Sequence, residues 1–233
     1  GTRISWFRCW LPLSSFGLEG TRLVIGARVR RLEDHPLVTG QGRFVADRSL
    51  TGQLHARFVR SQVAHGRIIS IDADAVRSRL GIAAVFTADD LGPHFPRIST
   101  RQVGYTEMLP YLQPVLASGR VRYVGEPVAV VIATDSYLAE DAAEEIFVEI
   151  DELEPVIDAT MPPSDWDESI STEVMVIDEA YGTVDETFAS AAHVVELELA
   201  VGRHSGVPME TRGALAWVDP MTGVLHVDGA AKV

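Results

Sequence analysis

Residues 121–151 constrain the fold more than any other stretch of the chain. They begin Val121-Arg-Tyr-Val-Gly-Glu-Pro-Val-Ala-Val-Val-Ile-Ala133, and from Pro127 onward odd and even positions are equally apolar. Val128, Val130 and Ile132 stand against Ala129, Val131 and Ala133, so a strand made of them has no face for water. It must be central and covered on both sides. Thr134, Asp135 and Ser136 are all residues that cap a helix start, and Leu138, Ala142 and Ile146 then recur at helical spacing. The pattern predicts a strand over 121–133, a helix over 136–145 and a strand over 146–151, a β-α-β arrangement. The last strand alternates, Val148 and Ile150 with Glu149 and Asp151, as a half-buried strand does.

Shorter signals surround this unit. Gly40-Gln-Gly42 reads as a turn entering a short strand near Phe44, and alternating or β-branched runs predict strands over 54–59, 68–72 and 82–86. A short helix is expected over 73–80, ended by Gly81. Thr87 and Asp90 have the spacing of a helix start with a carboxylate near its positive end. Residues 158–178, with Met161-Pro-Pro163 and many acids, have the composition of an exposed linker. Beyond it the sequence predicts an amphipathic helix over 184–192, a strand over 193–201, and a hairpin of strands 214–218 and 224–227 around Asp219-Pro-Met-Thr-Gly223. Residues 1–24, basic and without a sustained period, form a leader of a different character. The expected organisation is therefore 1–24 leader, 25–157 first domain with its lead-in, 158–178 acidic linker, and 179–233 the start of a second domain.

Charge and cysteine usage exclude several function classes. Residues 1–31 hold six Arg and one Glu, a net charge of +5, which leaves −18 on the rest of a chain whose total is −13. No Lys or Arg occurs from Tyr123 to Gly202. Nucleic-acid affinity rests on neutralising phosphates, so a nucleic acid is not an expected partner. The longest apolar run, 127–133, is strand-sized, and no membrane span is expected. Cys9 is the single cysteine, which excludes an internal disulfide, a thiolate zinc site and an iron–sulfur cluster held by this chain alone. A cytoplasmic setting is expected.

The individual constellations are weak. The seven histidines show no metal-pair spacing, and no metal ligand is assigned. Gly40-Gln-Gly42 lacks the third glycine of a dinucleotide fingerprint and the Lys of a P-loop. Arg203-His-Ser205 is adjacency without a triad. Glu210, between Arg203 and Arg212, reads first as a structural ion pair, with orientation of an anionic ligand as the alternative. For Glu126, Gly125 gives backbone freedom and Pro127 needs no ladder donor, so both neighbours have structural reasons. No catalytic residue is assigned. From spacing alone the chain is an acidic α+β globular protein.

The ordered motifs carry more. Arg31-Leu-Glu-Asp34, Leu37-Val-Thr-Gly40, Leu54-His-Ala56, Phe58-Val-Arg60-Ser61, Ala64-His65, Thr87-Ala-Asp-Asp-Leu91 and Pro114-Val-Leu-Ala117 are followed by Val121-Arg-Tyr-Val-Gly-Glu-Pro-Val-Ala129. Then come Ala139-Glu-Asp-Ala-Ala-Glu144, Pro208-Met-Glu210, Arg212-Gly213 and Gly229-Ala-Ala-Lys-Val233. In this order, from about residue 25 to the end, the chain resembles the front of the molybdenum-binding large subunit of the xanthine dehydrogenase and aldehyde oxidase family, most of all its aerobic carbon-monoxide-dehydrogenase-type branch. The resemblance implies an α/β hammerhead domain followed by the beginning of a molybdopterin-binding domain, in a chain read as a fragment, inactive alone, of an oxidoreductase that adds water-derived oxygen to a small carbon substrate. It implies a molybdenum–molybdopterin cofactor, in the cytosine dinucleotide form, with FAD and iron–sulfur clusters on partner flavin and iron–sulfur subunits. Lys232 stands where many relatives have a Gln near the metal's apical oxygen, and is the one cofactor-binding residue assigned. That departure puts carbon monoxide in doubt as substrate and leaves aldehydes and N-heterocycles open. The rival reading is a non-catalytic hammerhead module used for subunit assembly.

Overall fold

A computed structural model describes residues 30–99, 105–167, 170–202, 205–208 and 210–229. The chain packs as two compact units, Gly52–Glu198 and the combination of Gly1–Thr51 with Leu199–Val233. In chain order the elements begin with α1 (Asp34–Val38), β1 (His55–Arg60), β2 (Gly66–Asp72), α2 (Asp74–Arg77), β3 (Ile82–Thr87) and α3 (Ala88–Leu91). They continue with β4 (Arg120–Val121), β5 (Pro127–Ala133), α4 (Ser136–Glu144) and β6 (Phe147–Glu152). The last are β7 (Asp165–Asp167), β8 (Ile170–Ser171), α5 (Val184–Ser190), β9 (Ala214–Val218) and β10 (Leu225–Gly229).

In the unit Gly52–Glu198, β5 is the centre of a three-stranded sheet of order β1-β5-β3, antiparallel to both neighbours. Val128, Ala129, Val131 and Ala133 have no exposed surface, the outcome required by a strand apolar on both faces. A second sheet has the order β4-β2-β6, again antiparallel. The main core joins Val59, Val85, Ala129 and Val131 of the first sheet to Val76 of α2, Ala142 of α4 and Ile146, with Ile71 and Val148 of the second sheet packed against it. Of the three candidate caps for α4 it is Asp135 that acts, its Oδ1 accepting from the amides of Tyr137 at 2.9 Å and Leu138 at 3.2 Å.

Two expectations about this unit need correction. The run 121–133 is not one strand: it breaks at 122–126, and its two pieces belong to different sheets. The break is set by Gly125, at φ +88°, a conformation that only glycine adopts without strain. The β-α-β reading also changes, because β5 and β6 are not neighbours and α4 crosses from one sheet to the other.

Other elements came out shorter or absent. The helix expected over 73–80 spans Asp74–Arg77, and the Ser78 hydroxyl donates to the Ala75 carbonyl at 3.0 Å beyond its end. The short strand expected near Phe44 is not formed. A 3-10 turn, Val45–Asp47, stands there instead, held by the Phe44 amide donating to Asp47 Oδ2 at 2.9 Å. Residues 193–201 lie outside every strand, since among the described residues no neighbouring strand supplies a ladder. The hairpin β9–β10 matches its expected position closely, paired from Ala214↔Gly229 to Val218↔Leu225.

Gly66 tests the packing of the second sheet. A Cβ there would run into Ile150 Cγ2 and lie 2.7 Å from the Asp151 carbonyl oxygen. Gly66→Ala is therefore expected to destabilise the unit by about 1–3 kcal/mol, read as a lower denaturant midpoint. An unchanged midpoint would show that β2 and β6 are less closely apposed than described.

Candidate functional site

The most conspicuous ionisable group is Glu126, 1% exposed and among the largest fully buried side chains. Its Oε2 accepts from the Arg122 amide at 2.5 Å, and its Oε1 accepts from Arg122 Nε at 3.1 Å and Nη2 at 2.8 Å. The Arg122 side chain is itself only 19% exposed. Around this pair the chain is tied down further. The amides of Ser61 and Gly125 donate to the carbonyls of Glu126 and Ser61 at 2.9 and 2.7 Å, and Arg60 Nη1 donates to the Gly125 carbonyl at 2.8 Å. A carboxylate with two donors from one guanidinium and one from a backbone amide is fixed in position. It is not presented to a substrate, so the site braces the break between β4 and β5.

A second cluster, Arg77, Thr87 and Asp90, sets the corner from β3 into α3. Asp90 Oδ2 accepts from Arg77 Nη2 at 2.8 Å, the Thr87 amide at 2.7 Å and the Thr87 hydroxyl at 2.9 Å. The hydrogen bond from Arg77, and then that from the Thr87 amide, hold the Asp90 carboxyl at about 2, against an ordinary 3.8.

In the other unit the candidate cofactor residue, Lys232, lies outside the described residues, as do Arg203 and His204. What is described is the support leading toward it in sequence. Glu210 Oε1 accepts from the Val45 amide at 3.3 Å, and Arg48 pairs with Asp228 on β10. No ion pair joins the described Glu210 and Arg212, so the expected network becomes a carboxylate that fastens the lead-in segment. Contacts 165 and 180 residues apart in sequence left no local signal. On β9–β10 the Trp217 and His226 rings stack, with centroids 5.0 Å apart and planes within 10°. At Gly229 a Cβ would lie 2.9 Å from the Gly213 carbonyl oxygen, so the strand end runs tightly against its neighbour.

Among the described residues no three His, Cys, Asp or Glu side chains could hold a metal ion, and no buried side-chain polar atom lacks a partner. The described residues thus contain no ligand set and no orphaned donor for a molybdenum cofactor, and no reaction step is routed through them.

Residues 39–154 match the family model for the aldehyde oxidase and xanthine dehydrogenase a/b hammerhead domain, and residues 167–232 match that for the molybdopterin cofactor-binding domain. The chain is similar to the 6-hydroxypseudooxynicotine dehydrogenase complex subunit gamma of Paenarthrobacter nicotinovorans, 39% identical over 92% of this chain and 28% of that protein. It is similar to the carbon monoxide dehydrogenase large chain of Hydrogenophaga pseudoflava, 33% identical over 83% of this chain and 26% of that one. Among solved structures, quinoline 2-oxidoreductase from Pseudomonas putida 86 superposes with a TM-score of 0.64 at 36% identity, covering 88% of this chain and 26% of that one. The chain spans about a quarter of the length of these relatives.

Two outcomes follow for these carboxylate clusters. Glu126→Gln removes the charge opposite a mostly buried guanidinium and should cost about 3 kcal/mol of unfolding free energy; in the Arg122→Met background the same change should cost far less. Equal costs in both backgrounds would deny the pairing. Because the folded Asp90 carboxyl is depressed, its contribution is present above about pH 3.8 and lost as pH falls toward 2. The gap in thermal midpoint between the native chain and Asp90→Asn should hold above pH 4 and close toward pH 2; a gap that widens on acidification would contradict it.

Proposed function

We infer that this chain, which belongs to the aldehyde oxidase and xanthine dehydrogenase family, works as part of the molybdenum-binding large subunit of an oxidoreductase that hydroxylates a small carbon substrate. The observation that carries the inference is the succession of two family matches along one chain, hammerhead over 39–154 and molybdopterin cofactor-binding over 167–232. The fold is consistent with it: mixed, antiparallel α+β, with the strand-rich first domain built around β5.

The net reaction would be R–H + H2O → R–OH + 2 e− + 2 H+. The cofactor, in its cytosine dinucleotide form, supplies the redox chemistry, and the protein supplies position and electrostatics. Electrons would leave through iron–sulfur clusters and FAD on partner subunits. That relatives are named as a complex subunit and a large chain supports a multi-subunit assembly. Among the described residues no helix is long and apolar enough to cross a membrane, and a cytoplasmic location belongs to the same proposal.

For the substrate we favour an N-heterocycle or a derivative of one over carbon monoxide. The names of the relatives that act on 6-hydroxypseudooxynicotine and quinoline support it, as does Lys232 in place of a neutral amide donor. The Lys232 ammonium would donate to an oxygen of the bound cofactor, a charge-assisted bond of about 1.5–3 kcal/mol.

The test compares the 233-residue chain with the longer subunit purified alongside its partners. Molybdenum and oxidised pterin fluorescence are expected at about one per longer subunit and absent from the shorter chain, and oxygen from labelled water should appear in the product. Molybdenum bound stoichiometrically by the 233 residues alone, or a longer subunit without any, would overturn the proposal. Lys232→Ala should lower cofactor retention on dialysis by roughly 10–100-fold, with Lys232→Gln recovering part of it. Equal retention in all three would remove Lys232 from the site.

A further inference from the structure

Residues 39–51 fall within the hammerhead match, yet the lead-in up to Thr51 packs with residues 199–233. Its conformation is set locally. At the end of α1 the Thr39 hydroxyl donates to the His35 carbonyl at 2.8 Å, and the Gln41 amide donates to the Pro36 carbonyl at 2.8 Å. Gly42 then passes so close to Leu37 that a Cβ would lie 2.9 Å from its Cδ2. The 3-10 turn Val45–Asp47 follows. The start of such a turn leaves amide donors without partners in their own helix, and the Val45 amide finds Glu210 Oε1 at 3.3 Å. Arg48, just past the turn, pairs with Asp228.

These contacts fall at one end of the β9–β10 hairpin. Its turn, where the Gly223 amide donates to the Asp219 carbonyl, closes the other end. At the open end Ala214 pairs with Gly229, and Asp228 comes one residue earlier on β10. Gly213, just before Ala214, lies against the lead-in, where a Cβ would sit 3.9 Å from Val45 Cγ1. The lead-in therefore grips the hairpin where the chain continues toward residues 230–233. Lys232 follows Asp228 by four residues, and an extended chain covers at most about 3.6 Å per residue, so the Lys232 backbone stays within roughly 14 Å of this clasp. We propose that Arg48 and Glu210 are positioning residues for Lys232: by tying the lead-in to the open end of the hairpin they fix the end of β10, and with it the direction from which the Lys232 ammonium approaches the bound cofactor. The two act by different chemistry. Arg48 needs the charge of Asp228, whereas Glu210 needs only an acceptor oxygen, which an amide side chain also offers. The proposal rests on the assignment of Lys232 to the cofactor.

A double-mutant cycle tests it on the longer large subunit with its partners, read as molybdenum retained on dialysis. Arg48→Met should lower retention roughly 10-fold with Lys232 in place and less than about 2-fold on a Lys232→Ala background, because a residue that acts through another then has nothing left to position. The reversed pair, Arg48→Asp with Asp228→Arg, should recover most of the loss, and Glu210→Gln should keep the molybdenum that Glu210→Ala loses. Equal losses on both backgrounds would overturn the proposal by making the clasp a matter of stability alone. Full retention in Arg48→Met would overturn it as well. Hydrogen exchange on the 233-residue chain separates the clasp from its role: Arg48→Met should speed exchange of the β10 amides by at least ~10-fold while the β5 amides keep their protection. If Lys232→Ala alone retains all its molybdenum, the assignment of Lys232 and the proposal fall together, and faster exchange in β10 would leave only the clasp.

Discussion

The hammerhead unit depends on a charge pair placed where a strand would otherwise run straight through. Pro127–Ala133 needs cover on both faces, and residues 120–121 belong to a different sheet, so the chain must turn sharply inside an apolar run. Glu126 and Arg122 make that turn tolerable in a dry environment. The carboxylate accepts the Arg122 amide that the broken ladder would leave unpaired, and the guanidinium neutralises the carboxylate. Each group is costly to bury alone, and together they specify one geometry. From that corner follow the antiparallel central strand, the crossing helix α4 and a core shared by two sheets.

Much of this could be read before any coordinates. The two-sided apolarity of 127–133 marked the central strand, three capping residues marked the start of α4, and Asp219 to Gly223 marked the turn of the β9–β10 hairpin. The break at 122–126 was harder, because Val121 and Val124 continue the apolar pattern and mask it. Gly125 followed by Glu126 and Pro127 was the signal that could have found it: a glycine free to take positive φ, then a residue without an amide donor. Sheet membership was not local information at all. Nor were the Val45–Glu210 and Arg48–Asp228 contacts, which join segments far apart in sequence. The strand expected over 193–201 has the right period and no ladder among the described residues, which shows that period states what a segment is suited to pair with and not that it is paired.

A division of labour emerges for the ionisable groups. The buried carboxylate of Glu126 and the depressed one of Asp90 are both used up by neighbouring arginines and amides, and neither is offered to a ligand. Lys232, proposed above to meet the cofactor, follows β10 in sequence, and β10 is tied to the lead-in segment through the Arg48–Asp228 pair. In the unit Gly52–Glu198, then, the carboxylates of Glu126 and Asp90 serve the fold.

The claim that Glu126 holds the frame and takes no part in the reaction is tested most directly by turnover per bound molybdenum in the assembled enzyme carrying Glu126→Gln. The account predicts a lowered thermal midpoint with kcat per molybdenum unchanged. A normal midpoint and full molybdenum content with kcat lost would contradict it and return Glu126 to the reacting centre.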